Sequence, residues 1–473
     1  NYEFDKECIT NRDRMFDCPQ NLREEEMFEV PQWAANKVVY QIFPSRFAAT
    51  QPVDKELWYK APITPMDDLH GNLRGIIEHL DYIKDLGIDV VYLTPIFKSN
   101  SCHKYDTIDY YQVDPSFGTT EDLKELVQNS HERGMKVVLD AVYNHTGREF
   151  FAFQDILEKG EKSKYLDWYF IDELPPRGEW GEIPNFKCFG YYGGMPKLNL
   201  KNPEVEKYIT DVACYWIKEC DIDGWRLDVG DEISHFFWKN FRKAVKAVKK
   251  DMLIIGEIWH YAGDFLEGDE WDTVMNYPFY LNLIDLLADE KITVSQFVQN
   301  LGYLKGRLHK NCYPLMWNLI DSHDTARFLH LCNDNKKKQH LAAAFQLLLP
   351  GMPMIYYGDE YAMPGANDPD CRRGMYWDEE YQDKEMYEWY KRLIQVRKSH
   401  ACIVEGELAG SVTEDEEGTV VLIRKNGEET IAMIFNCSSS AKKFNEYTQK
   451  YNLLTENTFD GNVEGFDAAV IVL

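Results

Sequence analysis

Between residues 37 and 360, short apolar runs alternate with stretches whose apolar residues recur every three or four positions, the pattern of strands interleaved with amphipathic helices. The run Val38-Val39-Tyr40-Gln41-Ile42-Phe43 predicts a first strand, and Leu73, Ile76, Ile77, Leu80 and Ile83 mark one face of a helix over Gly71 to Asp85. Val90 to Leu93 predicts the second strand. A helix capped by Thr119 or Thr120 runs to His131 and leads into a third strand over Lys136 to Asp140. Asn202-Pro203 opens the next helix in cap-then-proline order, with Val205, Ile209, Val212 and Trp216 on one face. Gly224 to Asp228 and Leu253 to Glu257 are the fourth and fifth strands, separated by a helix marked by Phe237, Phe241, Val245 and Val248. Thr273 to Met275, Leu315 to Ile320 and Met354 to Tyr357 supply the last three.

Eight strands with helices between them predict an α/β chain folded as a (β/α)8 TIM barrel over residues 37–145 and 200–400. An open doubly wound sheet is the rival, and no G-x-G-x-x-G turn follows the first strand to support it. Residues 146–199, rich in Tyr, Gly and Pro, predict a subdomain inserted after strand three; residues 1–36 form a lead-in. Beyond residue 400 the helical period stops. Thr419 to Arg424, an Asn426-Gly427 turn, Thr430 to Phe435 and Ala469 to Leu473 predict a C-terminal antiparallel β-sandwich domain over 401–473.

Charge narrows the partners. With 79 Asp and Glu against 52 Lys and Arg, the net charge of -27 disfavours nucleic acid and anionic membrane surfaces. No apolar run reaches the ~18 residues of a membrane span, and Asn1 to Glu7 lacks the halves of a signal peptide. The 11 cysteines never form C-x-x-C, so neither zinc nor a disulfide framework is expected and the cytoplasm is the expected compartment. Aromatic residues at 14% suit surfaces that stack on sugar rings.

Candidate chemistry lies at the strand ends, where a barrel carries its active site. Asp140, Asn144 and His145 end the third strand, Arg226 and Asp228 the fourth, Glu257 the fifth, and His323 and Asp324 the seventh. Arg226 and Asp228 are two apart on a strand, so the guanidinium is expected to hold that carboxylate ionised as a nucleophile. Glu257 sits among Ile254, Ile255, Ile258 and Trp259, apolar surroundings expected to keep its proton as a general acid. Two carboxyls with separated roles around one bond are the machinery of glycoside hydrolysis. Asp324 adds negative charge, and His145 and His323 are expected to donate to sugar hydroxyls. Asp140 reads as an orienting group, Asp359-Glu360 as a salt bridge to Arg372 or Arg373, and Trp180, Phe189, Tyr191 and Tyr192 as either a sugar cleft or a local core.

Asp140 to His145, Gly224 to Asp228, Gly256 to Trp259 and Asn318 to Asp324 together resemble the four ordered signature segments of the α-amylase family of glycoside hydrolases. Met195-Pro196-Lys197-Leu198-Asn199 resembles the fifth segment of its neopullulanase, cyclomaltodextrinase and maltogenic amylase branch. The resemblance implies Asp228 as nucleophile, Glu257 as acid/base and Asp324 as transition-state stabiliser, with retention through a covalent glycosyl-enzyme. His103 and Tyr105 fall in a segment similar to the one whose tyrosine stacks under the cleaved sugar. The substrate-binding set is Tyr105, His145, Arg226, His323, His103, Glu232, Trp259 and Arg327. The implied substrates are cyclodextrins, maltooligosaccharides, starch and pullulan; transfer to a sugar acceptor and a non-catalytic sugar-binding role are the alternatives. No cofactor is required, since Ala48-Ala49-Thr50 replaces the calcium loop of many relatives and offers no clear ligand set, and Ser45 stands where they carry aspartate. Gly230-Asp231 also departs from the usual Ala-Asn, beside the leaving-group subsite. The oligomeric state is left open, because the branch's N-terminal β domain has no counterpart in residues 1–36.

Overall fold

The computed structural model describes residues 28–178 and 181–473, with two short paired strands, Phe4–Asp5 and Cys8–Ile9, ahead of them. Eight parallel strands form the central sheet: β1 (Val39–Ile42), β2 (Val90–Leu93), β3 (Lys136–Ala141), β4 (Gly224–Leu227), β5 (Leu253–Gly256), β6 (Thr273–Val274), β7 (Trp317–Leu319) and β8 (Met352–Tyr356). Strands β1 to β6 pair in sequence order, β7 pairs with β8, and β8 returns to β1. A parallel bridge between Met275 and Trp317, with the Asn276 amide donating to the Trp317 carbonyl at 2.8 Å, joins β6 to β7 and closes the barrel. The predicted TIM barrel is therefore the observed fold.

The two-residue period of the strands divides the core in two. Val39, Val90, Val138, Leu253 and Met354 point into the barrel and pack together, while Val38, Val91, Leu139, Trp225 and Ile254 point outward under the helices. Helix α1 (Thr120–Glu132) starts with a capping box in which Thr119 and Asp122 exchange side-chain and backbone bonds, and α2 (Pro203–Cys220) starts from the Asn202 cap with proline behind it. On α2 the buried Val205, Ile209, Val212 and Ile217 each contribute about 1.5–3 kcal/mol relative to exposure. Between β3 and α2 the chain leaves the barrel through a helix (Phe151–Lys159) and returns by way of isolated bridges, His145 with Lys197 and Cys188 with Pro196 among them.

After helices α3 (His235–Val248), α4 (Lys336–Leu348) and α5 (Lys384–Ser399), the chain ends in a six-stranded antiparallel sheet. Its main strands are β9 (Glu407–Glu414), β10 (Thr419–Asn426), β11 (Glu429–Asn436) and β12 (Asp467–Val472). One face, through Val420, Met433 and Phe435, joins the barrel core, where Phe435 stacks on Phe345 of α4 at 4.2 Å; the other buries Val421, Ile434 and Ile471 under its own loops. Among the described residues no helix is long and apolar enough to cross a membrane.

Candidate active site

Strand register brings the acids together. Arg226 on β4 is paired with Asp140 on β3, so both side chains enter the barrel at one level; Asp228 and Glu257 follow directly on β4 and β5. Their amides continue the ladder, Asp228 donating to the Ala141 carbonyl and Glu257 to that of Leu227. Gly256 leaves room there: a Cβ would lie 2.2 Å from the Trp271 ring. Asp324 arrives by a turn after β7, its amide donating to the Ser322 hydroxyl at 3.2 Å.

Arg226 is fully buried and serves all four carboxyls. Its Nη1 donates to Asp140 at 3.0 and 3.1 Å and to Asp228 Oδ1 at 3.0 Å. Its Nη2 lies 3.0 Å from Glu257 Oε1 and 3.7 Å from Asp324 Oδ2. Asp228, Glu257 and Asp324 line one cleft of about 440 Å³. Asp228 Oδ2 is buried with no hydrogen-bond partner among the described residues, leaving one carboxyl oxygen unspent. Glu257 Oε2 accepts the Val229 amide at 2.9 Å, and its Oε1 accepts the Trp259 indole N–H at 3.3 Å. Val229 takes a left-handed φ of 48°, costly for a β-branched residue, and its amide meets the Glu257 carboxyl from that conformation.

Burial and mutual repulsion govern the titration of this group. Burial, then the Glu257 carboxyl, raise Asp228 well above the usual carboxylate range against the pull of Arg226; burial raises Glu257 with Arg226 again opposing. Burial likewise pushes Asp140 up to about 6. The expectation that Arg226 holds Asp228 ionised meets an opposing pull: one cation shared among several buried carboxyls offsets burial and mutual repulsion only in part.

The predicted binding residues divide. Tyr105 lies in the cleft, its ring parallel to that of His323 at 5.6 Å and its hydroxyl donating to Asp140 at 3.0 Å while meeting His323 Nε2. Asp140 also accepts the Tyr92 hydroxyl, the orienting part expected of it. His103 lines the cleft and accepts the Tyr105 amide at 3.0 Å on Nδ1. Burial pushes His145 down to about 3, so it is neutral, and its single ring N–H on Nε2 donates to the Tyr105 carbonyl at 3.0 Å. His323 is also held neutral by burial, and both ring nitrogens meet protein partners, Gln41 at 2.7 Å and Tyr105. Neither histidine has a spare donor for a sugar, and both fix Tyr105 instead. Trp259 stacks on Tyr277 at 3.9 Å and stays 43% exposed, its indole forming a cleft wall. Glu232 stands outside the cleft lining, paired with Lys197 of the fifth segment at 2.9 Å.

Arg327 is misplaced by the sequence reading. It is fully buried, donating to Asp359 at 2.9 Å, to the Tyr357 carbonyl at 2.8 Å and to that of Cys371 at 3.1 Å, so it ties β8 to the following loop and does not face the cleft. That contact also replaces the expected pairing of Asp359 and Glu360 with Arg372 or Arg373: Glu360 accepts the hydroxyls of Tyr40 and Tyr82, and Arg373 binds Asp370. Of the insert's aromatics, Phe189 lines the cleft, stacked on His145 at 5.1 Å, while Tyr191 is 90% exposed and Trp180 lies outside the described residues. Arg372 and Asp368 are cleft residues the sequence reading passes over; Arg372 holds Asp368 at 2.7 Å, Asp324 at 3.5 Å and the His323 carbonyl at 2.8 Å.

The model of the alpha-amylase catalytic domain matches residues 41–406. A cyclomaltodextrinase of Geobacillus thermopakistaniensis (strain MAS1) is 46% identical over 428 residues, covering 90% of this chain and 72% of that protein. The solved structure of a cyclomaltodextrinase superposes with a TM-score of 0.89 at 38% identity, over 94% of this chain and 79% of that one. A cyclic alpha-maltosyl-(1→6)-maltose hydrolase from Arthrobacter globiformis superposes with a TM-score of 0.86 at 34% identity, over 94% of this chain and 100% of that one.

Proposed function

Since the chain belongs to the alpha-amylase family of glycosidases, on its cyclomaltodextrinase-like side, we propose that it cleaves α-1,4-glucosidic bonds of cyclodextrins and maltooligosaccharides, with starch and pullulan as further substrates, and retains the anomeric configuration. The observation that carries this reading is the single guanidinium of Arg226, which gathers Asp228, Glu257 and Asp324 at one cleft.

Glu257 gives its proton to the glycosidic oxygen while the unspent Oδ2 of Asp228 attacks the anomeric carbon, forming an ester and releasing the leaving sugar. Loss of that proton makes Glu257 an anion. The Val229 amide already donates to it and the Arg226 guanidinium lies 3.0 Å away, so both stabilise it as it forms. Glu257 then takes a proton from water, the hydroxide attacks the anomeric carbon, and Asp228 leaves as a carboxylate. Asp324, braced by Arg372, faces the oxocarbenium-like centre with negative charge. Tyr105, immobilised by His145 and His323, offers its ring to the reacting sugar. A second sugar replacing water at the ester gives transglycosylation, a reading favoured by the apolar walls of Trp259 and Phe189 beside the acids.

The test is to compare initial rates on β-cyclodextrin, soluble starch and pullulan. Faster opening of the cyclic substrate supports the reading; turnover of none of the three overturns it.

A further inference from the structure

A second cavity, of about 420 Å³, opens among the segments that follow β1 and β8, neighbouring strands at the barrel end that also bears the cleft. Its volume is close to the cleft's and within the range of ligand sites. The lining is aromatic with a charged rim: Trp58, Tyr59, His79 and Trp377 inside, Lys55 and Asp378 at the edge. Tyr59 and Tyr381 stack at 4.1 Å, and His79 and Trp377 pack at 4.0 Å with their planes tilted by 35°, so the rings of each pair brace one another. Trp58 and Trp377 spend their indole N–H groups on the carbonyls of Met375 and Phe47, which fixes both rings.

The polar groups are set differently. His79 Nδ1 donates to the Gly75 carbonyl at 2.7 Å, which fixes its ring. The Tyr59 hydroxyl accepts the Asp378 amide at 3.0 Å, leaving its own proton to donate. Lys55 lies 2.7 Å from Asp378, placing an ammonium and a carboxylate side by side at the rim. Rigid aromatic faces fringed by adjacent donors and acceptors match a sugar ring, which has apolar faces and an edge of vicinal hydroxyls. The loop that carries Trp377 and Asp378 also carries Arg372 of the catalytic cleft, so the two sites share a support.

We propose that this cavity is a second binding site for α-glucan, taking glucose units of a maltooligosaccharide away from the bond being cleaved. The inference rests on the α-glucan reading of the cleft. The rings hold the sugar face, the Tyr59 hydroxyl donates to it, and Lys55 and the Asp378 carboxylate receive its hydroxyls.

The experiment is calorimetric titration of maltoheptaose into the full chain carrying Asp228→Asn, which is expected to bind without turnover. Two sites are expected. Adding Tyr59→Ala is expected to weaken one of them by about tenfold, from loss of one ring contact, and to leave the other unchanged. Lys55→Ala with Asp378→Ala, both on the exposed rim, repeats the test while keeping every ring in the sequence. In the otherwise native enzyme the rim variants are expected to raise KM for soluble starch about threefold or more while leaving kcat/KM for maltotriose unchanged. One site in the parent, or two sites that neither set of variants alters, overturns the proposal. Failure of the functional reading looks different: the native chain turns over no α-glucan at all.

Discussion

Replacing Arg226 by Met removes the one cation shared by the cluster while keeping an unbranched side chain of similar reach. At 3.0 Å and an effective dielectric constant near 20, each of the contacts to Asp140, Asp228 and Glu257 carries about 5 kcal/mol of attraction. Carboxyls deprived of it take up protons, so the net loss of stability is about 3–5 kcal/mol where they must ionise. The sign follows from linkage: a carboxyl with a raised folded-state pKa contributes stability below its unfolded value, near 4, and loses it as pH rises through the folded value. Without Arg226 those folded values rise further. The deficit of Arg226→Met against the parent is therefore small near pH 4 and grows toward pH 8. The assay is thermal or urea unfolding of both proteins at several pH values, with kcat/KM measured in parallel. Activity is expected to fall at least about 10³-fold, with both limbs of the remaining pH profile moved upward. Arg226→Lys is expected to rescue only part of the loss, because a point charge cannot bridge four carboxyls as the guanidinium fork does. A deficit that does not change from pH 4 to 8 would refute the shared-cation account.

The native enzyme is expected to show a bell-shaped kcat/KM profile. Its acid limb marks ionisation of the carboxyl cluster that frees Asp228 as nucleophile, and its alkaline limb, loss of activity as Glu257 deprotonates; a profile flat from pH 4 to 9 would contradict the raised values. Trp259→Phe removes the indole donor that lowers Glu257, so the alkaline limb is expected to move up; a downward shift counts against the hydrogen bond. Arg327→Met is expected to cost about 3–5 kcal/mol in unfolding experiments by stranding Asp359, with KM unchanged at a temperature where the variant is folded. A KM that rises in that variant without loss of stability would restore Arg327 to the binding set.

Much of this was legible because it is periodic. The barrel strands alternate or run apolar, Thr119 and Asn202 cap helices through short side chains, and the acids follow apolar runs directly. Strand β9 escaped because it is exposed along most of its length and its sequence carries no alternation. Arg327 misled because its neighbour Asp324 faces the cleft, whereas the turn around Ser322 and Thr325 and the helix from Phe328 send the arginine inward. Arg372 and Asp368 reach the cleft on a long irregular loop, where no period marks a side chain's direction. The opposing pulls on Asp228 were only half legible: its arginine lies two residues away, but the other claimants on that arginine come from separate strands.

The central claim is that Asp228 attacks the sugar and becomes covalently attached to it. Incubating the protein with a 5-fluoro-α-glucosyl fluoride, then digesting it and locating the added mass, measures this directly. The account predicts one glycosyl group on the peptide containing Asp228 and none in Asp228→Asn. A stable label on any other residue, or turnover of the reagent with inverted product and no label, would contradict it.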